Sequence, residues 1–253
     1  MKILAFVQAR MNSSRLPGKV LLDLCGKPMI FQQIGRLEKA KMIDGIIVLT
    51  STSKLDRILY EECIERGIKC FKGSLDNVLS RFYCAYERYK PDHIVRITGD
   101  CPLLDWTVVD LVIEHHLTNN SDYTSNALTP TYADGLDVEV FTADCLKKME
   151  SKAVSDIERE HVTYYCYTHQ NEFKLLNVVN PIGDESMFRW TVDSKEDFKF
   201  VSSIYSALYP RNSEFNSRDI VNYLEINPEL KNINHSALRN EGLSRSIEME
   251  GES

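Results

Sequence analysis

The first segment with chemical potential is a polar loop near the start of the chain, residues 8–19, which reads Gln-Ala-Arg-Met-Asn-Ser-Ser-Arg-Leu-Pro-Gly-Lys. It carries three cations, Arg10, Arg15 and Lys19, and no acid, in a chain whose net charge is −7. Cations, hydroxyls and a flexible backbone suit a polyphosphate, because each can bond to phosphate oxygens. A solvated loop with scattered basic residues is the alternative, and the lack of any acid disfavours it. The spacing of a Walker A loop is absent.

Two later segments place a carboxylate where a buried run of residues ends. Asp100 follows the apolar run 93–97, and Asp193 ends the alternating run 188–192. Mg²⁺ prefers oxygen ligands and substrate phosphates, so both carboxylates are candidate ligands for one or two metal ions. Each also has a structural alternative. Asp100 could be a turn residue, and Asp193 could cap the following helix, with Glu196 completing a capping box.

The elements that must position these residues alternate between strand and helix patterns. Short apolar runs predict strands, and the segments between them predict helices that end in a helix with Asp105 as its N-cap. Strand–helix alternation predicts right-handed βαβ units in a parallel sheet, where ligands bind beyond the carboxyl ends of the strands. The loops 8–19, 50–54 and 98–105 fall there and predict one shared site. The predicted strands are 3–7, 45–50, 68–71 and 93–97, and the predicted helices are 30–39, 55–66, 77–89 and 105–117.

The second half of the chain has a looser pattern. Residues 154–169 predict one helix, 174–192 predict two strands, and 197–208 and 217–224 predict two further helices. Asp137 and Glu139 lie two residues apart, so on a strand both point to one face. Acids there suit sugar hydroxyls, although a solvent-facing polar stripe would look the same.

Composition bounds the class of protein. With 253 residues and 43% hydrophobic content, the chain can form one large domain. Its net charge of −7 provides no global basic field for nucleic acid. The seven cysteines are odd in number and form no Cys-x-x-Cys pair, which is typical of reduced thiols rather than of disulfides or zinc sites. No apolar run reaches membrane length, so we expect a cytoplasmic protein with no membrane partner.

The motifs together resemble a known family. The pattern Ala-Arg-x-x-Ser-x-Arg-x-Pro-x-Lys at residues 9–19 resembles the N-terminal signature of the CMP-sugar synthetases, which include the acylneuraminate and Kdo cytidylyltransferases. Gly-Asp-x-Pro-Leu at 99–103 and Thr-Val-Asp-Ser at 191–194 resemble the metal-binding motifs of that family. From residue 2 to about residue 230 the chain is most similar to the branch of the spore-coat polysaccharide biosynthesis protein F.

The resemblance implies an α/β fold with a Rossmann-like, mostly parallel sheet of the nucleotide-diphospho-sugar transferase type. It implies a nucleotidyltransferase domain over residues 1–230, in which residues 121–185 form a small β/helical insertion at the acceptor side that also makes a homodimer. Residues 231–253 would be a polar tail, either disordered or held by a partner.

The resemblance also implies roles for residues around the nucleotide. Arg10, Arg15 and Lys19 would hold the triphosphate of CTP, and Asp100 and Asp193 would share Mg²⁺. The catalytic residues would be Arg10, Lys19 and Asp100. The helix that opens at 73–82, for which Ser74 or Asp76 is a candidate cap, lies near the nucleotide in this branch, although packing alone would explain its sequence. The full predicted nucleotide site is Ala9, Arg10, Ser13, Arg15, Lys19, Ser51, Asp76 and Arg81.

At the acceptor side, the resemblance implies that Asp137, Glu139, Arg159 and His161 bind the substrate. Arg159 and His161 would bind a carboxylate or phosphate on it, although a structural role for His161 is the alternative. We expect a cytidylyltransferase that transfers CMP from CTP to a sugar acid or to a phosphorylated sugar or polyol, for surface polysaccharide or glycan biosynthesis. A glycosyltransferase that consumes a nucleotide-sugar and a non-catalytic nucleotide-binding protein are the alternatives. The chain lacks the Asp-x-Asp motif usual in the former.

Overall fold

The computed structural model of the protein describes residues 1–234, 239, 243–244 and 246–248. The strands are β1 (Ile3–Gln8), β2 (Asp23–Leu24), β3 (Lys27–Pro28), β4 (Gly45–Ser51), β5 (Cys70–Gly73), β6 (His93–Thr98), β7 (Tyr123–Ser125), β8 (Glu139–Thr142) and β9 (Leu175–Asn177). The α-helices are α1 (Met29–Leu37), α2 (Arg57–Glu65), α3 (Val78–Tyr89), α4 (Trp106–Asn119), α5 (Ala143–Lys152), α6 (Asp156–Glu160), α7 (Tyr164–Thr168), α8 (Lys195–Leu208) and α9 (Ser217–Ile226). Short 3-10 helices span Lys19–Leu21, Gln170–Glu172 and Pro228–Asn232.

One seven-stranded sheet organises the chain, in the order β5-β4-β1-β6-β8-β7-β9. The pairs β5–β4, β4–β1 and β1–β6 are parallel, and their connections contain α1, α2 and α3. β8 then runs antiparallel to both β6 and β7, and β9 is parallel to β7. Strands from residues 121–185 thus extend the main sheet directly from β6.

Both faces of the sheet are buried, and the alternation of side chains along β1 shows why. Ala5 and Val7 belong to the core that packs against α1, α4 and α8, whereas Leu4 and Phe6 belong to the core on the other face, with α3, α5 and α7. A strand that is buried on both faces therefore appears in the sequence as a continuous run of apolar residues. No helix among the described residues is both long and apolar enough to cross a membrane.

The mostly parallel α/β fold predicted from the sequence is confirmed, and so are the strands and helices predicted in the first 120 residues, with small differences at their ends. Asp105 caps α4 as predicted, since its carboxylate accepts a hydrogen bond from Thr107 N at 2.9 Å. The cap of α3 is instead Asn77, whose Oδ1 accepts from Ser80 N at 2.8 Å, so the assignment to Ser74 or Asp76 was wrong.

The single helix predicted at 154–169 is wrong, because the segment forms the two short helices α6 and α7. His161 leaves the helical region with φ −98° and ψ 52°. Just beyond it, Val162 is fully buried, and Thr163 Oγ1 donates to Glu139 Oε1 at 2.6 Å. Tertiary contacts at Val162 and Thr163 thus break a segment that has a helical sequence pattern.

Of the two strands predicted within 174–192, only β9 forms. Residues 188–192 instead pair with loops at isolated points. Arg189 forms one β-bridge with Asp134, in which Trp190 N donates to Asp134 O at 2.6 Å and Asp134 N donates to Phe188 O at 2.9 Å. Val192 N donates to Asp100 O at 2.8 Å. The alternative in which Asp193 caps α8 and Glu196 completes the capping box is wrong, because Ser194 is the N-cap and Asp197 completes the capping box. Asp193 therefore does not serve as the helix cap.

Candidate active site

Three loops meet at the carboxyl edge of the parallel strands, as the strand pattern predicted. Gly99, after β6, approaches the end of β1 so closely that its N–H donates to Gln8 O at 2.8 Å. A Cβ on Gly99 would lie 2.8 Å from Ala9 Cβ, closer than side-chain carbons pack, so only glycine fits here. Asp56, fully buried, accepts from Met11 N at 2.6 Å and from Ser51 N at 3.1 Å. The loops after β1, β4 and β6 are thereby held together.

The first cavity lies above this edge and has a volume of about 300 Å³. The loop after β1 supplies most of its cations, and Arg10 is exposed there. Among the described residues, the Arg10 guanidinium has no hydrogen bond or ion pair, so its donors can reach an anion. The lining comprises Gln8, Ala9, Arg10, Ser13, Ser14, Arg15, Lys19, Val20, Val78, Arg81, Arg96, Thr98, Gly99, Asp100, Glu160, His161 and Asp193.

Lys19 joins the two predicted metal ligands at the floor of this cavity. Its ammonium donates to Asp100 Oδ2 and to Asp193 Oδ1, each at 2.8 Å, and to Val192 O at 2.7 Å. These three bonds use all three N–H donors of the side chain. Burial alone would lower the pKa of Lys19, but the two carboxylates outweigh it and hold the pKa above its ordinary value. Lys19 is thus a charged bridge that fixes the distance between Asp100 and Asp193.

The contacts that raise the pKa of Lys19 lower the pKa of Asp100. Burial alone would raise the pKa of Asp100, but attraction to Lys19 and the hydrogen bonds from Lys19 and Thr98 lower it below its usual value. The carboxyl is therefore ionised at neutral pH, which is the form that binds a cation.

Arg189 fixes Asp193 from the other side. Its guanidinium donates to Asp193 Oδ2 at 2.8 Å, to Asp134 Oδ2 at 2.7 Å and to Asp197 Oδ1 at 2.9 Å. The Arg189 side chain is 7% exposed, so these bonds lie in a poorly solvated environment where they are strong. Arg15 adds a further ion pair to Asp193 Oδ2 at 3.0 Å. Asp193 is thus held by three cations.

The second cavity adjoins the first and has a volume of about 460 Å³. The two cavities share a wall that contains Asp100 and Asp193, so a molecule in each would meet at these carboxylates. The lining of the second cavity comprises Arg15, Arg96, Thr98, Asp100, Cys101, Tyr123, Ala127, Leu128, Asp134, Asp137, Glu139, His161, Thr163, Tyr167, Arg189, Thr191, Asp193 and Leu243.

Glu139, which lines the second cavity, has its hydrogen-bonding capacity largely used. It lies opposite Arg96 in the β6–β8 pair and forms an ion pair with it. Tyr123 Oη and Thr163 Oγ1 also donate to Glu139 Oε1, each at 2.6 Å. Burial alone would raise the pKa of Glu139, but Arg96 and the two hydroxyls outweigh it and lower the pKa. These bonds fit a residue that shapes the wall of the cavity.

Asp137 has a different environment, although it lies only two residues before Glu139. Burial and the nearby carboxylates Asp134, Glu139 and Asp100 raise the pKa of Asp137 to about 7, against the opposing effect of its ion-pair partner Arg239. Its carboxyl can therefore exchange a proton near neutral pH.

The donor set fits a divalent cation that is bound jointly with a substrate. Lys19 shows that the carboxylates of Asp100 and Asp193 already face one positively charged point. Within the described residues, no three His, Cys, Asp or Glu side chains gather as a metal site. Mg²⁺ commonly takes one or two carboxylates and completes its shell with phosphate oxygens and water. Asp100 and Asp193 match that requirement, and a cage made by protein alone is not present in the described part.

The structure brings most of the predicted site residues together. Ala9, Arg10, Ser13, Arg15, Lys19, Arg81, Asp100, His161 and Asp193 line the first cavity, and Asp137, Glu139 and His161 line the second. Arg81 reaches the cavity edge, but it is 1% exposed, and its guanidinium donates to Ser74 O at 2.8 Å and to Leu75 O at 3.0 Å. Arg81 thus anchors the loop before α3.

Three predicted residues lie outside both cavity linings. Ser51 is fully buried, and its hydroxyl donates to Asp56. Asp76 is exposed on the loop before α3. Arg159 is turned toward α5, where it donates to Glu150 Oε2 at 2.8 Å and to Ala153 O at 2.6 Å. These contacts favour structural roles for Ser51 and Arg159.

Sequence reasoning missed Arg96, Arg189 and Asp56. Arg96 and Arg189 each interrupt a run of otherwise buried residues, and a charged residue in such a run needs a partner. That signal was present in the sequence and points to an ion pair inside the fold. Asp56 gave no comparable signal, because an acid that precedes a helix is ordinary.

The comparisons with known proteins agree with this geometry. A family model described as cytidylyltransferase matches residues 4–233. The chain is 33% identical to the spore coat polysaccharide biosynthesis protein SpsF of Bacillus subtilis, over 90% of this chain and 95% of that protein. A cytidylyltransferase structure from Leptospira borgpetersenii serovar Hardjo-bovis superposes with a TM-score of 0.88 at 32% identity, covering 94% of this chain and 99% of that one.

A more distant structure shares the fold. The CMP:2-keto-3-deoxy-manno-octonic acid synthetase, solved in complex with CTP, superposes with a TM-score of 0.60 at 16% identity. The superposition covers 81% of this chain and 99% of that chain.

Proposed function

The chain belongs to the cytidylyltransferase family of nucleotidyltransferases, and from that premise we propose that it transfers CMP from CTP to a sugar-like acceptor and releases pyrophosphate. The acceptor is a sugar acid or a phosphorylated sugar or polyol. One observation carries the proposal: two adjoining cavities meet at Asp100 and Asp193, and the cationic loop after β1 lines mainly the first of them, since Arg15 is the one residue of that loop that also lines the second.

The first cavity suits the triphosphate. Arg10 is exposed there with its donors available, and Arg15 stands beside it, so two guanidinium groups can bond to phosphate oxygens. Ser13 and Ser14 also line this cavity and add hydroxyl groups that can bond to phosphate oxygens. The second cavity then takes the acceptor, and its lining places the polar side chains of Asp137, Tyr167, Thr191 and His161 beside the sugar hydroxyls.

Lys19 has a narrower role than its place in the loop suggests. Because its three donors are bound to Asp100, Asp193 and Val192 O, it orients the carboxylates rather than reaching freely into the cavity. Asp100 and Asp193 would hold Mg²⁺, which supplies neutralisation of charge on the phosphate oxygens. Lys19 contacts both carboxylates and Arg189 contacts Asp193, so the two cations keep the carboxylates in place for that task.

In the proposed reaction, an oxygen of the acceptor attacks the α-phosphorus of CTP. A bond forms between that oxygen and phosphorus, the bond to the β-phosphate breaks, and pyrophosphate leaves. Such transfers depend mainly on alignment and charge stabilisation. Arg10 and Arg15 stabilise the negative charge that accumulates on the leaving pyrophosphate. A phosphate acceptor needs no base, whereas a hydroxyl acceptor loses its proton during the step, and that proton passes to solvent water or to the leaving pyrophosphate.

The wider setting follows from the relatives. Similarity to a spore coat polysaccharide biosynthesis protein supports a place in surface polysaccharide or glycan biosynthesis. We also propose that the protein is cytoplasmic and forms a homodimer through residues 121–185, where Val179 and Ile182 are 59% and 61% exposed.

A pyrophosphate-release assay tests the reaction. The protein is incubated with CTP, ATP, GTP or UTP, with Mg²⁺ or with EDTA, and with or without each of three acceptors: 3-deoxy-manno-octulosonate, N-acetylneuraminate and ribitol 5-phosphate. We expect release that requires CTP, Mg²⁺ and one acceptor together. Binding of CTP without release would favour a non-catalytic nucleotide-binding protein. Turnover of a CMP- or UDP-sugar without triphosphate would favour a glycosyltransferase.

Two variants locate the reaction in the structure. Asp100→Asn removes one of the two carboxylates and should lower the rate at least about 100-fold, as the loss of a metal ligand or a group that stabilises charge does. Asp144→Asn is the matched control, because the Asp144 side chain is 90% exposed on α5 and lines neither cavity. Equal rates for the two variants would contradict the assignment of Asp100.

A further inference from the structure

C-terminal residues border the second cavity, beyond the family match, which ends at residue 233. Asn234 anchors their start, because its Nδ2 donates to Arg189 O and to Asp197 Oδ1, each at 3.0 Å. Leu243 lines the cavity, and Ser246 Oγ lies 3.0 Å from His161 Nε2. The described C-terminal residues thus contact the cavity both on the side of Arg189 and on the side of His161.

Arg239 brings a cation to this border. Its Nη2 donates to the cavity-lining carboxylate of Asp137, and its Nη1 donates to Tyr132 O at 3.0 Å. Its Nε is buried and has no hydrogen-bond partner among the described residues. A guanidinium with a spare donor therefore stands directly behind one acid of the cavity wall.

The other cations of the second cavity are bound more firmly to carboxylates of the protein. Arg96 is paired with Glu139, and Arg189 is bound by three carboxylates. Arg15 is also paired with Asp193, and it lines the first cavity as well, where the proposed function assigns it to the triphosphate. An anionic group that binds Arg96 or Arg189 would have to displace these carboxylates, which form the cavity wall and the metal-ligand side of the site.

The Asp137–Arg239 pair is easier to open. Burial and the carboxylates of Asp134, Glu139 and Asp100 raise the pKa of Asp137 to about 7, despite Arg239. Near neutral pH, Asp137 can therefore take up a proton and release the guanidinium at low cost. The protonated carboxyl can then donate to a sugar oxygen.

We propose that Arg239 forms an oxyanion subsite of the second cavity, at which the carboxylate or phosphate of the acceptor replaces Asp137 as the partner of the guanidinium. The inference rests on the proposed function and deepens it, because it assigns acceptor recognition to a residue outside the family match. A guanidinium binds either oxyanion through paired N–H donors, so both chemical forms of the acceptor fit the subsite.

Calorimetric titration tests the subsite. The probes are 3-deoxy-manno-octulosonate and ribitol 5-phosphate, each matched by a neutral counterpart, the methyl ester and ribitol. Each is titrated into the protein with a non-hydrolysable CTP analogue and Mg²⁺ present. The variants are Arg239→Ala, Arg239→Lys and, as matched control, Arg211→Ala, whose arginine is exposed and lines neither cavity.

We expect the wild type to bind at least one anionic probe more tightly than its neutral counterpart. Arg239→Ala should weaken binding of that probe about 10- to 100-fold, the range of a charge-assisted hydrogen bond, and leave the neutral counterpart unchanged. Arg239→Lys should recover part of the affinity, and Arg211→Ala should bind as the wild type does. Whether the carboxylate or the phosphate probe responds identifies the oxyanion.

Three outcomes would overturn the subsite: no binding of either anionic probe by the wild type, an equal loss for anionic and neutral probes in Arg239→Ala, or equal behaviour of Arg239→Ala and Arg211→Ala. Failure of the proposed reaction looks different, since it shows as CTP and acceptor binding without pyrophosphate release. Arg239-dependent binding of an anionic probe would in that case still support the subsite.

Discussion

Replacing Arg189 with Met tests whether one buried guanidinium holds the metal-ligand side of the site together. Arg189 is 7% exposed on its side chain and forms ion pairs with Asp134, Asp193 and Asp197 at 2.7 to 2.9 Å. Met has a similar length but no charge, so three neighbouring carboxylates would lose their shared cation. Removal of one partner from a buried ion pair costs about 3–5 kcal/mol.

The matched comparison is Arg57→Met. Arg57 also bonds to a carboxylate, Glu61, at 2.6 Å, but its side chain is 77% exposed. An exposed pair contributes about 0–1 kcal/mol. Since each kcal/mol shifts the melting temperature of a chain of this size by roughly 2–4 °C, Arg189→Met should lower Tm by about 6–20 °C and Arg57→Met by no more than about 4 °C.

Thermal unfolding followed by circular dichroism measures this difference in Tm between the two variants, and urea titration gives a second measure of stability. Arg189→Met should also lose most of its pyrophosphate release at temperatures where it remains folded, because Asp193 loses the partner that fixes its Oδ2 from the buried side and keeps Lys19 and Arg15. A Tm shift for Arg189→Met as small as that of Arg57→Met would refute the argument that the buried cluster organises Asp193.

Three further predictions use other parts of the fold. Burial and the neighbouring His93 lower the pKa of His116 from 6.5 to about 4, so folding favours the neutral imidazole. The free energy of unfolding should therefore keep its full contribution from His116 above pH 6.5 and fall by up to about 3 kcal/mol as the pH drops from 6.5 to 4. Urea titrations across that range should show this loss in the wild type and not in His116→Gln. Gly99→Ala should lower kcat/KM for CTP at least about tenfold, because the added Cβ would lie 2.8 Å from Ala9 Cβ. Gly35→Ala is the control and should leave kcat/KM unchanged, because no atom lies within 4 Å of its added Cβ. Similar kcat/KM values for the two variants would refute the argument that the loops approach closely at Gly99. Ile182→Glu should convert a dimer into a monomer in light scattering, and Ile226→Glu, 80% exposed outside residues 121–185, should not; dimers in both would exclude Ile182 from the interface.

The parts of the fold that could be predicted from sequence are those with a local cause. β1 was recognisable because a strand buried on both faces reads as an uninterrupted apolar run. Asp105 was recognisable as a cap because it precedes a helical pattern. The loops after β1 and β6 were expected to meet because the carboxyl ends of parallel strands lie at one edge of the sheet.

The parts that could not be predicted depend on distant contacts. The helix pattern at 154–169 is locally sound, but Val162 and Thr163 are drawn into the core and to Glu139, and no neighbouring residue signals that. The same holds for Lys19: its sequence position suggests a phosphate ligand, but only the fold shows that Asp100 and Asp193 use its donors.

The candidate site shows a similar division between local and distant causes. Arg10, Arg15, Asp100 and Asp193 were found because their segments combine unusual chemistry with a strand end. Arg189 could have been suspected, since a charge inside a buried run requires a partner. The identity of its three partners depends on where residues 134, 193 and 197 come together in the fold.

The central claim is that CMP passes from CTP in the first cavity to an acceptor in the second, across the wall that contains Asp100 and Asp193. Mass spectrometry of the reaction products tests it most directly. With CTP, Mg²⁺ and the responding acceptor, we predict a CMP–acceptor conjugate and pyrophosphate in equal amounts from the wild type, and both formed at least about 100-fold more slowly by Asp100→Asn. Pyrophosphate or CMP without a conjugate, or a conjugate formed equally well by Asp100→Asn, would contradict the account.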